Sequence, residues 1–380
     1  MYSQNVVQLV TQLCDINKIF RRKKMKKTLA MILCLVLCAA LFAGCGSTAE
    51  APSAEPAADG AADAAPADTA EQSFTIKIAG IKADEDPASQ AMQVFADEVN
   101  SSSDTLSVKV YTNSVLGGVN DLLSGMTDGT IDMFYNTLSC YPFVAGAEKF
   151  TAVSAPFLWK DNAELEAFLE TDEAKGWFED AAAQSGVRCL IAAGELAPRE
   201  LTSNKAINNA DDFKGLKIRT AESVIVQKTM EKLGAQPTVV PFSDLYMALR
   251  QGTVDAQENG FMTVYSASLY EVQKYFMKTD YIRDVSAIFI SDALWNQLSD
   301  NQKAVLSAAA EKAVRTEEAT IASQIDDVIA KLNESMTYID IDVQSVQDAL
   351  GEDFYDQFDG DLWPEGTMKA INDFKAAYVG

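Results

Sequence analysis

Arg199 opens the segment RELTSN and Arg219 closes the segment GLKIRT. A guanidinium is a rigid fork of N–H donors that matches a carboxylate, so arginines placed to meet a ligand point to the binding of an organic anion. Asn259 ends the segment VDAQENG, where its amide is able to donate and accept. All three lie at ends of short strand-like runs. In open α/β sheets the ligand crevice lies beyond the carboxyl ends of strands, and Arg219 stands at such an end, ahead of a new helix. Catalytic signals are sparse. The chain has no histidine, which removes Ser-His-Asp and Cys-His pairs and every histidine metal site. It also lacks a G-x-S-x-G elbow, a Walker A loop and a G-x-G-x-x-G fingerprint. Gly117-Gly118 reads as a turn before a helix. Asp353, Asp356, Asp359 and Asp361 read as a solvated acidic face, because their spacing differs from that of a calcium loop. No catalytic residue, metal or cofactor is expected.

The elements that must position these residues alternate. Strands are expected at 74–81, 106–112, 131–136, 187–194, 199–204, 215–220, 238–241 and 254–260, with helices at 87–100, 162–183, 222–233 and 243–251. Short strands with intervening helices imply α/β layers. Residues 300–333 contain neither Gly nor Pro and follow a capping Ser299 or Asp300. The helix they predict is ~50 Å long, more than one small domain, so it should lie across two lobes.

Lys plus Arg number 31 and Asp plus Glu 55, a net charge of -24. Nucleic acid is excluded as the main partner, since phosphate binding needs clustered cations. The apolar run 29–44 follows the basic cluster Arg21 to Lys27 and is too short to span a bilayer. Met25-Lys26-Lys27 opens like a secretory signal, so residues 1–24 read as a mis-called N-terminal extension and 25–44 as the signal peptide. Leu41 to Cys45 resemble the bacterial lipobox, in which the cysteine is lipidated. Loss of residues 1–44 leaves 24 basic and 54 acidic residues, a net of -30. The expected location is outside the cytoplasmic membrane, lipid-anchored to its outer face or in the periplasm. Residues 46–72 hold 11 alanines, three prolines and six acids, with no basic or aromatic residue. They read as a flexible linker, 45–73 with the lipidated cysteine. Cys140 and Cys189 then remain, as a disulfide or as two free thiols.

The order of segments resembles the solute-binding proteins of TRAP transporters, of the dicarboxylate-binding (DctP) type. The matching pieces include FADEV (95–99), APFLW (155–159), RELTSN, DDFKGLKIRT (211–220), LGAQPTVVPFSDLYMAL (233–249), VDAQENG and YEVQKYF (270–276). The resemblance implies a two-lobed α/β fold of the periplasmic-binding-protein kind, with a long helix crossing both lobes. Lobe I would hold 74–196 plus 285–324 and lobe II 197–284 plus 325–380, with crossings near 195–199 and 281–287. It implies Arg219 as the residue that pairs with the substrate carboxylate and Arg199 as a second arginine. It also implies roles for Asn259 and for Phe242, the aromatic before S-D-L-Y. Asn136, at the end of IDMFYN, and Glu195 complete the candidate ligand set. The family often has Asn-Gly where this chain reads Glu195, Leu196, Ala197, Pro198, and an acid there either suits a ligand with a hydroxyl or amine or only faces solvent. The implied partners are a small organic acid, the TRAP membrane subunits and the membrane itself through the lipid. The receptor of an ATP-driven uptake system and a secreted carboxylate-dependent hydrolase are the alternatives; the ordered TRAP-type motifs favour the first reading.

Overall fold

The structure is a computed structural model and describes residues 71–379. The expected signal segment and Cys45 lie outside the described residues. Eleven strands form two sheets. The first has the order β2-β1-β3-β10-β4, built from β1 (Phe74–Ala79), β2 (Leu106–Tyr111), β3 (Met133–Thr137), β4 (Val187–Glu195) and β10 (Val285–Ser291). β1 runs parallel to β2 and β3, and β10 is antiparallel to β3 and β4. The second has the order β11-β9-β5-β8-β6-β7. It uses β5 (Arg199–Ser203), β6 (Lys217–Thr220), β7 (Gln236–Val239), β8 (Ala256–Asn259), β9 (Tyr275–Ile282) and β11 (Thr337–Ile339). β6 is parallel to β7 and β8, whereas β5 is antiparallel to β8 and β9. Residues 196–198 and 283–284 join strands of one sheet to strands of the other, so two short crossings connect the halves.

The third connection is the helix Asp300–Ser335, 36 residues and about 54 Å long. Ser299 accepts from Gln302 N–H and the Gln302 side chain accepts from Ser299 N–H, a reciprocal cap that starts the helix. Its first half buries Leu306, Ala309, Ala310, Ala313 and Val314 with Ile76, Ile78 and Phe95 of the first sheet's layer. Its second half buries Ile321, Val328 and Leu332 with Leu245, Phe261 and Phe276 of the second. The expected single crossing helix is therefore present. The small alanines let it lie close to β4: a Cβ on Gly194 (φ +86°) would stand 2.8 Å from the Val314 carbonyl. Glu71 accepts from Thr105 Oγ1 at 2.8 Å, and Gln302 Nε2 donates to Gln72 O at 2.7 Å. The last two residues of the expected linker are thus docked beside the start of the long helix.

Two features differ from the sequence reading. The expected helix 162–183 is two, Asn162–Leu169 and Asp172–Ser185, because Thr171 turns out of helical geometry and caps Ala174 N–H at 3.2 Å. Beyond the long helix, Val343–Leu350 packs against 224–232 of the second half, while Thr367–Ala377 packs against 149–153 and 162–169 of the first. Phe374 meets the Trp159 and Phe168 rings edge-on there, so the C-terminal segment touches both halves.

Candidate functional site

The carboxyl ends of β1, β3, β6 and β8 meet at one cavity of about 400 Å³ between the two sheets. Arg199, Arg219, Asn259, Phe242 and Asn136 all line it, together with Lys82 and Glu258. Glu195 does not. It is exposed at the end of β4, where burial raises its pKa and the nearby Arg283 acts against that.

Arg219 is 3% exposed. Its Nε donates to Val240 O at 2.9 Å, and no carboxylate lies within salt-bridge distance among the described residues. Burial lowers its pKa to about 10, with Glu258 acting in the opposite direction. A buried guanidinium left so is costly unless an anion supplies the missing acceptor. Arg199 is different. Its Nε bonds the Glu258 carboxylate and its Nη2 donates to Glu258 O at 2.7 Å. Burial acts to lower the Arg199 pKa, but the charge and hydrogen bond of Glu258, with smaller contributions from Tyr281 and Asp284, together outweigh it and the net shift is upward.

Asn259 is spent internally. Its Nδ2 donates to Gln257 Oε1 at 2.6 Å and its Oδ1 lies 3.4 Å from Arg199 Nη2. Gln257 Nε2 in turn donates to Thr202 Oγ1 at 2.8 Å, and Thr202 donates to Gln273 Oε1 at 3.0 Å. This buried chain of hydrogen bonds is why QEN sits on a strand covered on both faces: each polar group is satisfied by the next. Asn259 holds the Arg199 side chain in place at the cavity wall.

Lys82 is the residue that sequence reasoning missed. It follows the carboxyl end of β1, the same strand-end signal that singled out Arg219. Its Nζ donates to Thr263 Oγ1 at 3.0 Å and stands 4.5 Å from the centre of the Phe242 ring. Burial lowers its pKa, while the Asp86 charge raises it. Phe242 thus carries a cation on its face as well as an apolar wall. Cys140 also lines the cavity, but burial pushes its thiol up to about 12, which leaves no thiolate for nucleophilic work. Cys140 and Cys189 are both free. Gly118 N–H is taken by Asp121 Oδ2 at 3.0 Å, so the Gly-Gly turn caps its helix. Asp359 accepts from Gly366 N–H and Met368 N–H, and no cluster of metal-ligating side chains occurs among the described residues.

Two α/β halves with a cavity between them that holds Lys82, Arg199 and Arg219, and a long helix across both, have the architecture of a two-lobed solute receptor. Residues 78–360 match the model of bacterial extracellular solute-binding protein family 7, the DctP family, and the chain belongs to that family. It is similar to the 2,3-diketo-L-gulonate-binding periplasmic protein YiaO of Escherichia coli K12, 29% identical over 70% of this chain and 82% of that protein. It is likewise similar to the sialic acid-binding periplasmic protein SiaP of Vibrio cholerae, 28% identical over 68% of this chain and 79% of that protein. Among solved structures, a TRAP periplasmic solute-binding protein of Haemophilus influenzae with bound L-gulonate aligns with a TM-score of 0.72 at 25% identity, covering 80% of this chain and 99% of that one.

Proposed function

We propose that the chain captures a small organic acid between two lobes and delivers it to the membrane subunits of a TRAP-type secondary transporter. The observation that carries this reading is Arg219, a buried guanidinium without a carboxylate partner at the wall of a cavity of about 400 Å³. The ligand's carboxylate takes the free donors of Arg219. Arg199, neutralised by Glu258, supports from the lobe junction, and Phe242 packs the apolar part. The names of the relatives agree, since those named for a solute are named for acids. A thermal-shift screen against organic acids tests the reading. A ligand at 100 times its Kd stabilises by ~2.7 kcal/mol, and the absence of a shift with every acid would sink it.

The lobe division is taken as 74–196 with 285–324, and 197–284 with 325–380, the helix Thr367–Ala377 of that last stretch reaching back onto the first lobe. Closure turns on the crossings at 196–198 and 283–284. Small-angle scattering should then give a more compact particle at saturating ligand than without it, and identical profiles would contradict hinge closure.

Export and anchoring complete the reading. Cys45 is the first mature residue and carries the lipid, with the acidic, proline-interrupted linker holding the receptor off the membrane. Cys45→Ala should move the protein out of the membrane fraction. Unchanged membrane association of that variant would argue instead for an uncleaved anchor.

A further inference from the structure

Phe157 has a φ of +58°, a backbone setting that a bulky L-residue keeps only where its surroundings over-determine it. It stands in the segment APFLW, and that segment is fastened to the first half on both sides of it. Ser154 Oγ donates to Phe150 O at 3.0 Å, the Trp159 indole N–H donates to Val153 O at 2.7 Å, and Lys375 Nζ donates to Leu158 O. Phe157 itself meets the second half. Its N–H donates to Tyr281 O of β9 at 2.5 Å, and its ring lies edge-on to the Tyr281 ring with centroids 6.1 Å apart. Phe157 also borders an apolar hole of about 20 Å³ whose other walls include Leu201, Phe213 and Met230 of the second half. Thr229 and Thr279 border it too, but their hydroxyls donate to Ile225 O at 2.8 Å and to the Glu200 carboxylate at 3.1 Å. Nothing there calls for water, so the contact is dry.

This contact sits beside a crossing. Tyr281 lies two residues before 283–284, and Asn162 Nδ2 of the first half donates to Asp284 O at 2.8 Å. A turn of one half on the other at that crossing must slide the Phe157 ring over Tyr281 and the hole. The halves are also joined beside the ligand cavity, where Lys82 Nζ donates to Thr263 Oγ1 at 3.0 Å and Ser266 Oγ donates to Asp86 Oδ2 at 2.7 Å. The structure is therefore of halves drawn together, and parting them would hand the Phe157 ring and its apolar seat to water. Phe157 does not line the ligand cavity. We propose that Phe157 is a knob between the lobes, fixed on the first and seated on the second, that favours the drawn-together setting in which the ligand is held. This rests on the reading of the protein as two lobes that close on a ligand.

Two variants of the full chain test it. Phe157→Ala removes the ring and keeps the left-handed backbone; Phe157→Gly removes the ring and relieves the backbone. Small-angle scattering without ligand should find both variants more extended than the parent. Calorimetric titration with L-gulonate should find both weaker than the parent by about tenfold, because binding must then also draw the lobes together. The glycine variant should melt no lower than the alanine variant and yet bind as weakly. Scattering profiles equal to the parent's, or L-gulonate bound as tightly as by the parent or tighter, overturn the knob. An affinity that recovers in Phe157→Gly along with the melting temperature shows that the turn only supports the fold, and overturns it too. If the parent itself binds no L-gulonate, the scattering of the ligand-free proteins decides the knob alone, while the choice of acid fails separately.

Discussion

Arg199 donates from Nη2 to the Glu258 carbonyl at 2.7 Å and from Nε to the Glu258 carboxylate, so two charges at the edge of the cavity cancel each other. Arg219, in the same cavity, is answered only by the Val240 carbonyl among the described residues. The two arginines look alike in the sequence, yet this asymmetry separates them: one is part of the wall and the other awaits a charge.

Arg219→Ala is expected to nearly abolish binding of the acid found by the screen. Removing one partner of a buried charge pair costs ~2–5 kcal/mol, or roughly 30- to 5,000-fold in affinity. Arg219→Lys should also bind weakly, because an ammonium keeps the charge and loses the planar fork. Calorimetric titration measures both, and an alanine variant within a few-fold of the parent would show that the carboxylate clamp is misplaced.

The Arg199–Glu258 pair should matter more for stability than for affinity. Glu258→Gln leaves the Arg199 charge uncompensated, and breaking a buried pair in this way costs about 3–5 kcal/mol. Replacing both residues, as Arg199→Met with Glu258→Leu, should cost less than the sum of the single changes, because no orphaned charge remains. Urea unfolding of Arg199→Met, Glu258→Leu and the double variant gives the comparison; additive losses would mean that the two side chains act independently.

Glu317 predicts a pH dependence. Burial raises its pKa from 4.5 to about 7, with the hydrogen bonds from Ser286 and Tyr135 acting the other way. Its folded pKa lies above its unfolded one, so its contribution is fully present below about pH 4.5 and is lost as pH rises through about 7. A shift of that size corresponds to about 3 kcal/mol. Glu317→Gln keeps an acceptor for Tyr135 and Ser286 but cannot ionise. The stability of the parent relative to this variant should therefore fall between pH 5 and pH 8, as read by urea unfolding at the two values. A constant difference would mean that Glu317 does not titrate in that range.

Gly194 is expected to tolerate no side chain. An added Cβ would meet the Val314 carbonyl at 2.8 Å, and the φ of +86° disfavours any L-residue. Gly194→Ala should destabilise by at least about 1 kcal/mol, because backbone on both sides leaves nothing flexible to yield. A melting temperature equal to the parent's would mean that the long helix can lift away from β4.

Much was readable from one dimension. The 36-residue helix announces itself through an uninterrupted run without Gly or Pro and a Ser299 cap, both local properties. Arg199, Arg219, Asn259, Phe242 and Asn136 were found because they sit at strand ends or in ordered motifs, and the fold brings all five to one cavity. Glu195 entered the candidate set because it stands where the family often has Asn-Gly, but it lies outside the cavity lining, since neighbours at a crossing need not share a face. The break at Thr171 was missed because a threonine that caps a new helix looks, within an acidic and alanine-rich run, like one more helical residue.

What the sequence determined by itself is the set of local elements and the chemical type of the site, since hydrophobic period, capping and arginine placement are properties of neighbours along the chain. Only the tertiary structure decided which cation is compensated and which is not. Glu258 reaches Arg199 across the β5–β8 ladder, and Lys82 becomes half-buried through Phe242 and Thr263, which lie 160 and 181 residues further on. Burial and charge pairing depend on distance in space and on exclusion of water, and neither exists until the two halves of the chain have come together.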